Sequence, residues 1–390
     1  MISVLLLIII YFSFVSMGIQ DSLLGAAWPS MYEPLNVPLH YAGIISMIIS
    51  IGRIISSIFS EKLNRRFGTG IVAAAGILLF ASALFGISFS ENFLQLCFWA
   101  IPLSLGAGLS DVTLNNYVAL NYKARHMIWV HCFWGIGASI GPIIMSFYLI
   151  NNNSWNLGYR VNSIFPLVIT AVLFIIIPLW EKNKPLAKIE EKKTNAIHHK
   201  ELLHVAGIKQ ILAIFFSNVS FHVIIVLWGS SFLVLEKNIL PETAAQWLAL
   251  YYIGITICRF ITGFLSIKLN NRQIIRLGHG IIACGIIVLI LPFGQIFLML
   301  GFFILGLGFA PLYPCLLHET PKNFGNKISQ AVMGWQIASG CVGGLIIPPL
   351  FGRIASFAGF HIFPVFIGAL LIIMTLMFEA LTRKVDNAGM

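Results

Sequence analysis

Apolar residues fill twelve runs along the chain, at 2–28, 39–61, 69–90, 93–120, 128–150, 158–180, 206–234, 243–267, 277–293, 295–317, 329–351 and 358–381. A helix needs about 20 apolar residues to cross the hydrocarbon core of a bilayer, so the pattern predicts an all-α polytopic membrane protein with twelve transmembrane helices. The one long polar stretch, 181–204, parts the runs into six and six and reads as a solvated linker. The expected organisation is an N-terminal six-helix bundle over 1–180, a linker over 181–204, and a C-terminal bundle with a short tail over 205–390. The first run lacks a basic leader and a small-residue cleavage site, which marks it as a span and not a signal peptide.

Composition agrees. Of 390 residues, 58% are hydrophobic and 10% charged, whereas soluble domains carry about 25% charged residues. The net charge of +10 does not point to nucleic acid, because the basic residues follow alternate loops instead of forming a patch. Nineteen Lys/Arg fall on the side that holds both termini and the linker; the other side holds Arg160, Lys237 and Arg353. The positive-inside rule then puts both termini and the linker on the cytoplasmic side, and the expected location is a bacterial-type inner membrane. All six cysteines lie in apolar runs without a CxxC pair, which suits packing better than disulfides or metal. Walker, HExxH and GxSxG motifs are missing from the sequence. That argues against ATP-driven pumping and enzyme chemistry, and no cofactor is expected.

The two sets of spans repeat one another. The segments GRIISSIFSEKLNRR (52–66) and CRFITGFLSIKLNNR (258–272) align without gaps and share Arg53/Arg259, Lys62/Lys268, Asn64/Asn270 and Arg66/Arg272. LGAG (105–108) likewise matches LGLG (305–308). Parallel repeats about an interface that holds the solute are one plan of secondary transporters.

On these features the whole chain resembles the major facilitator superfamily. The stretch from Ser57 to Arg66 is similar to the family's loop signature, with Glu61 for the usual Asp and Asn64 for the usual Gly. The resemblance gives Glu61, Lys62, Arg65 and Arg66 structural or gating roles. DSLLGAAWP (21–29), NNY (115–117), GIGASIGP (135–142) and GLGFAPLYPCLLHETPKNFG (306–325) resemble the fucose/proton symporter and hexose-permease-like branch. This branch implies proton symport of a monosaccharide by alternating access, with a coupling acid in the first helix and another in the fourth, positions that Asp21 and Asp111 match. The partners it implies are a small solute, protons and the lipid bilayer, and the expected state is a monomer. The alternative is proton-coupled antiport that exports an amphipathic compound or drug. A Gly-x3-Gly-Pro run ending at Pro142 resembles part of an antiporter signature, but Met145-Ser146 replaces its following glycine pair and Ile128 its leading glycine.

The polar residues inside the spans carry the candidate chemistry. A carboxylate at the bilayer centre costs at least ~2.5–3.5 kcal/mol on insertion scales. Asp111 and Asn115, four apart, share a helix face with Gly108 and Ser104. Asp111 either exchanges protons or pairs with Arg53 as a structural device, and the two readings are compatible. Asp21, beside Gln20, is placed nearer the outer end of its helix, where it binds solute or protons or else lies in a vestibule. Arg53 and Arg259 suit anchoring, since arginine keeps its charge. His131 with Trp134, and Asn218 with His222, are helical-face pairs open to proton relay or to plain packing. Trp28, Trp134, Trp228, Tyr313 and Trp335 are candidate sugar platforms, with Gln336 and Asn116 as polar partners. Trp155 and Trp247, near helix ends, are expected in the interfacial belt.

Overall fold

The computed structural model describes residues 2–122, 124–152, 154–182, 205–265, 268–292 and 294–388. Its helices run α1 (Ile2–Met31), α2 (Ala42–Phe67), α3 (Thr69–Ile87), α4 (Phe93–Asn121), α5 (Ala124–Asn152), α6 (Trp155–Ile175), the short α7 (Ile177–Lys182), α8 (Ile208–Lys237), α9 (Pro241–Leu265), α10 (Asn271–Ile290), α11 (Gln295–Phe309), α12 (Leu312–Phe324), α13 (Asn326–Ala358) and α14 (Phe363–Ala388). Twelve stretches among the described residues are long and apolar enough to cross a membrane, and α11 with α12 make up one of them, broken at Ala310-Pro311. The described residues contain no strand. Of the predicted linker, 183–204 lie outside the described residues.

Side-chain caps start several helices by satisfying free N–H groups. Asn92 accepts from the Gln95 backbone before α4, Ser154 from Leu157 before α6, and Asn270 forms a full capping box with Gln273 before α10. Asn64, the repeat counterpart of Asn270, does something else: it lies within α2 and its amide bonds the Thr113 hydroxyl of α4 at 3.1 Å. The turn after α2 is made instead by Gly68, whose φ of 86° is open to glycine and strained for other residues. A glycine missing from the loop signature is thus supplied four positions later.

Lipid gives no hydrophobic drive between helices, so close approach through small residues and hydrogen bonds organises the bundle. Gly137 and Gly141 of α5 meet the α1 backbone, and Gly340 and Gly343 of α13 lie against α8. Gly135 instead faces Thr256 of α9, in the other set of six. The two sets also touch where Gly25 of α1 lies directly on the Val226 backbone of α8, leaving no room for a Cβ. On the face away from the clustered Lys/Arg, Gly43 packs on Pro349 and the Arg353 guanidinium donates to Nε2 of His40 (3.3 Å).

Candidate functional site

At the centre of the bundle the two sets meet around Asp21. It sits ten residues before the end of α1, and Arg53 sits eleven residues into α2. At 1.5 Å per residue both are about 15 Å below the same face, level with each other. Arg53 forms an ion pair with Oδ1 of Asp21 through Nη2, which also donates to Oε1 of Gln20 (3.1 Å). The Trp134 indole donates to the second carboxylate oxygen at 2.9 Å. Helices α1, α2 and α5 therefore all converge on one acid.

From the other set, Tyr252 of α9 meets Trp134 edge-on at 5.9 Å and His222 of α8 lies 6.5 Å from the same ring. His222 is itself fixed by a 2.9 Å hydrogen bond to the Tyr251 hydroxyl and by stacking on Phe309 at 4.9 Å. Above this layer opens a cavity of about 240 Å³, lined by Gln20, Asp21, Arg53, Trp134, His222 and Tyr252 together with aliphatic side chains. Drug-sized ligands occupy ~300–1,000 Å³, so the space suits a smaller molecule with polar groups on one side.

On the basic side of the layer lie Asp111 and Arg259. Asp111 is exposed although ten residues from the end of α4, and its Oδ1 accepts from Nδ2 of Asn115 at 2.7 Å. Its charge acts on Arg53 and, across the gap between the sets, on Tyr313 of α12. Arg259 donates from Nη1 to the His131 carbonyl (3.1 Å) and lies over the Trp134 ring at 5.4 Å.

The comparisons with known proteins fit this architecture. The profile of the Major Facilitator Superfamily matches residues 10–348.

The chain belongs to the major facilitator superfamily.

Among its relatives, bypass of stop codon protein 6 of Saccharomyces cerevisiae is 23% identical over 93% of this chain and 79% of its own length. The glucose/mannose transporter GlcP of Bacillus subtilis is 22% identical over 88% of this chain and 86% of its own. A D-xylose–proton symporter crystal structure superposes with a TM-score of 0.73 over 96% of both chains at 13% identity, a likeness of fold. The protein is a multi-pass membrane transporter of this superfamily.

Within that frame the sequence-predicted residues separate. Gln20, Asp21, Arg53, Trp134 and His222 come together at the cavity. Of the two readings of Asp111, the structural pair with Arg53 is not what the structure has: Arg53 pairs with Asp21. Helix α2 continues to Phe67, which puts Arg53 about 21 Å from the basic end while Asp111 is about 15 Å from it, a full turn apart. Asp21 is likewise deeper than expected, because α1 runs through Pro29 to Met31.

Several candidate platforms are packing residues. Trp228 is fully buried, its indole bonded to the Pro348 carbonyl (2.9 Å), and Trp28 bonds the Leu39 carbonyl (2.7 Å). Gln336 is buried against Thr320 (2.9 Å). Trp155, expected in the belt, is buried on Tyr159. Tyr313, beside Phe215, and the part-buried Trp335 do not line the cavity. The His131 ring turns to Phe14 at 5.9 Å. Asn116 is exposed on another side of α4 from Asn115, and Asn218 is buried with neither amide atom hydrogen-bonded.

Among the described residues the signature charges form no latch. Glu61 and Arg65 approach to 4.0 Å with side chains over 80% exposed, a pair of negligible strength. Lys62 is exposed and Arg66 lies over Phe67. The second set carries a network instead: Arg272 binds Asp386 (2.8 Å) and Glu319 (3.7 Å), and Arg276 grips Glu379 with two hydrogen bonds. Sequence reasoning missed this network and missed Tyr252. The signal for Tyr252 was there, since it lies two turns before Arg259 on one face of α9.

Proposed function

We propose that the protein imports a small polar solute, most reasonably a monosaccharide, by proton symport with alternating access. The observation that carries this reading is the placement of Asp21, held between Arg53 and Trp134 on the floor of a small central cavity. A sugar bound there would stack an apolar ring face on Trp134 and offer hydroxyls to Asp21, Gln20 and His222. The relative GlcP is a glucose/mannose transporter, which supports the substrate class.

Arg53 lies within the field of two acids, Asp21 and Asp111. A proton arriving on an Asp21 carboxylate oxygen neutralises it and frees the guanidinium to turn toward Asp111. The stronger attraction moves between acids, and the two six-helix bundles, 1–180 and 205–390 with the linker 181–204 between them, rock about the cavity. Both termini and the basic face are cytoplasmic in this reading, in a bacterial-type inner membrane, with the protein acting as a monomer.

Uptake into proteoliposomes under an imposed pH gradient tests it. Concentrative monosaccharide uptake that collapses with a protonophore is the expected result. Uptake indifferent to the gradient would remove proton coupling, and gradient-driven export of an amphipathic dye would favour antiport.

A further inference from the structure

Arg259 is a charged side chain inside the bundle without an acid of its own among the described residues. Arginine stays protonated, and an ionised group away from bulk water is stable when an opposite charge and hydrogen bonds accompany it. What Arg259 has is the His131 carbonyl at 3.1 Å and the face of Trp134 at 5.4 Å. Neither carries a negative charge. Among the described residues no Asp or Glu forms an ion pair with it. The side chain is part-exposed, on the basic side of the central layer.

The first set of helices shows what the second lacks. A step of 206 positions separates Arg53 from Arg259, and the same step separates Met31 from Lys237, where the helices α1 and α8 end. Applied to Asp21, it arrives at Leu227, which lines the cavity. One half thus gives its arginine a carboxylate from its first helix. The other half places an apolar side chain at the matching position.

We infer that Arg259 docks a carboxylate carried by the transported solute, which supplies the negative charge that Leu227 cannot. The planar guanidinium fork takes a carboxylate through two parallel hydrogen bonds, and the Trp134 ring that it covers on one face also borders the cavity. Arg53 is engaged with Asp21, so the two arginines do not compete for the same anion. Combined with the monosaccharide reading above, on which the ring identity rests, the substrate class is a sugar acid such as a hexuronate. The carboxylate itself rests on Arg259 alone.

Calorimetric titration of the full-length protein in nanodiscs with D-glucuronate, D-glucose and benzoate tests the inference. Glucuronate should bind at least about tenfold more tightly than glucose, the usual scale for a hydrogen-bonded charged group. Arg259→Gln should abolish that preference and Arg259→Lys should keep part of it. Equal affinity for glucose and glucuronate in the unaltered protein overturns the carboxylate and leaves the monosaccharide reading standing. So does a preference for glucuronate that survives in Arg259→Gln. Binding of benzoate with neither sugar bound, lost in Arg259→Gln, supports the carboxylate and removes the sugar ring. Failure of both acids to bind at millimolar concentration overturns the inference without any need for the variants.

Discussion

Trp134 holds one oxygen of Asp21 from α5 while Arg53 holds the other from α2, so the acid has both of its oxygens engaged before any solute arrives. Replacing Trp134 with Phe keeps the ring and removes the donor. One neutral-to-charged hydrogen bond of this kind is worth about 1.5–3 kcal/mol, so solute affinity should fall by roughly tenfold or more if the solute depends on Asp21 being held in place. Titration calorimetry on Trp134→Phe reads this directly, and an unchanged affinity would mean that the indole positions nothing.

Breaking the Asp21–Arg53 pair should be worse than removing it. Arg53→Ala leaves Asp21 facing the cavity without its cation. Because the Arg53 side chain is 38% exposed, the loss should be about 1–3 kcal/mol, below that of a fully buried pair. The Asp21→Asn/Arg53→Gln double variant should recover most of the melting temperature but none of the proton-driven uptake. A double variant as unstable as Arg53→Ala would show that the two residues are not coupled.

Asp111→Asn separates coupling from passage. Exchange of labelled solute across the membrane in counterflow should persist, while uphill uptake driven by a pH gradient should disappear. Proton-driven accumulation at the unaltered rate in Asp111→Asn would remove Asp111 as the acid to which Arg53 turns.

The Arg353 guanidinium reaches His40 across the two sets of helices on the face opposite the basic one. Arg353→Ala should loosen this contact and speed labelling of a cysteine placed at Ser46, which lines the cavity behind. Protonating His40 removes the acceptor nitrogen and sets two cations side by side, so lowering the pH on that face should have the same effect. Labelling rates that ignore both changes would make the contact incidental.

Gly25→Ala puts a methyl group where the Val226 carbonyl already lies, whereas Gly280→Ala enters open space. Overpacking typically costs about 1–3 kcal/mol. The first variant should melt lower and transport poorly and the second should match the unaltered protein in both assays.

Much of the fold was written in the hydropathy pattern, because a bilayer punishes any other arrangement of twenty apolar residues. The site was harder to read. Asp21 and Asp111 stand out as carboxylates in apolar runs, but which of them Arg53 takes depends on how far α1 and α2 extend past their apolar cores, and Pro29 and the polar end of α2 hid that. Trp134, Trp228 and Trp28 have the same side chain and similar surroundings in sequence. Only packing tells the one that bonds a carboxylate from the two that bond backbone carbonyls. Arg272 and its partners on α12 and α14 are far apart along the chain, and no local spacing announces such a network.

The backbone contact at Gly25 has unequal arms on its two sides. Helix α1 extends six residues beyond Gly25 toward one face and twenty-three toward the other, about 9 Å and about 34 Å. Two backbones in contact can turn on each other but have little freedom to slide. Any turn of α1 on α8 at that point therefore sweeps its basic-face end nearly four times as far as its opposite end. The geometry is that of an off-centre fulcrum: if the bundles rock as proposed, a slight parting at one face would correspond to a wide swing at the other.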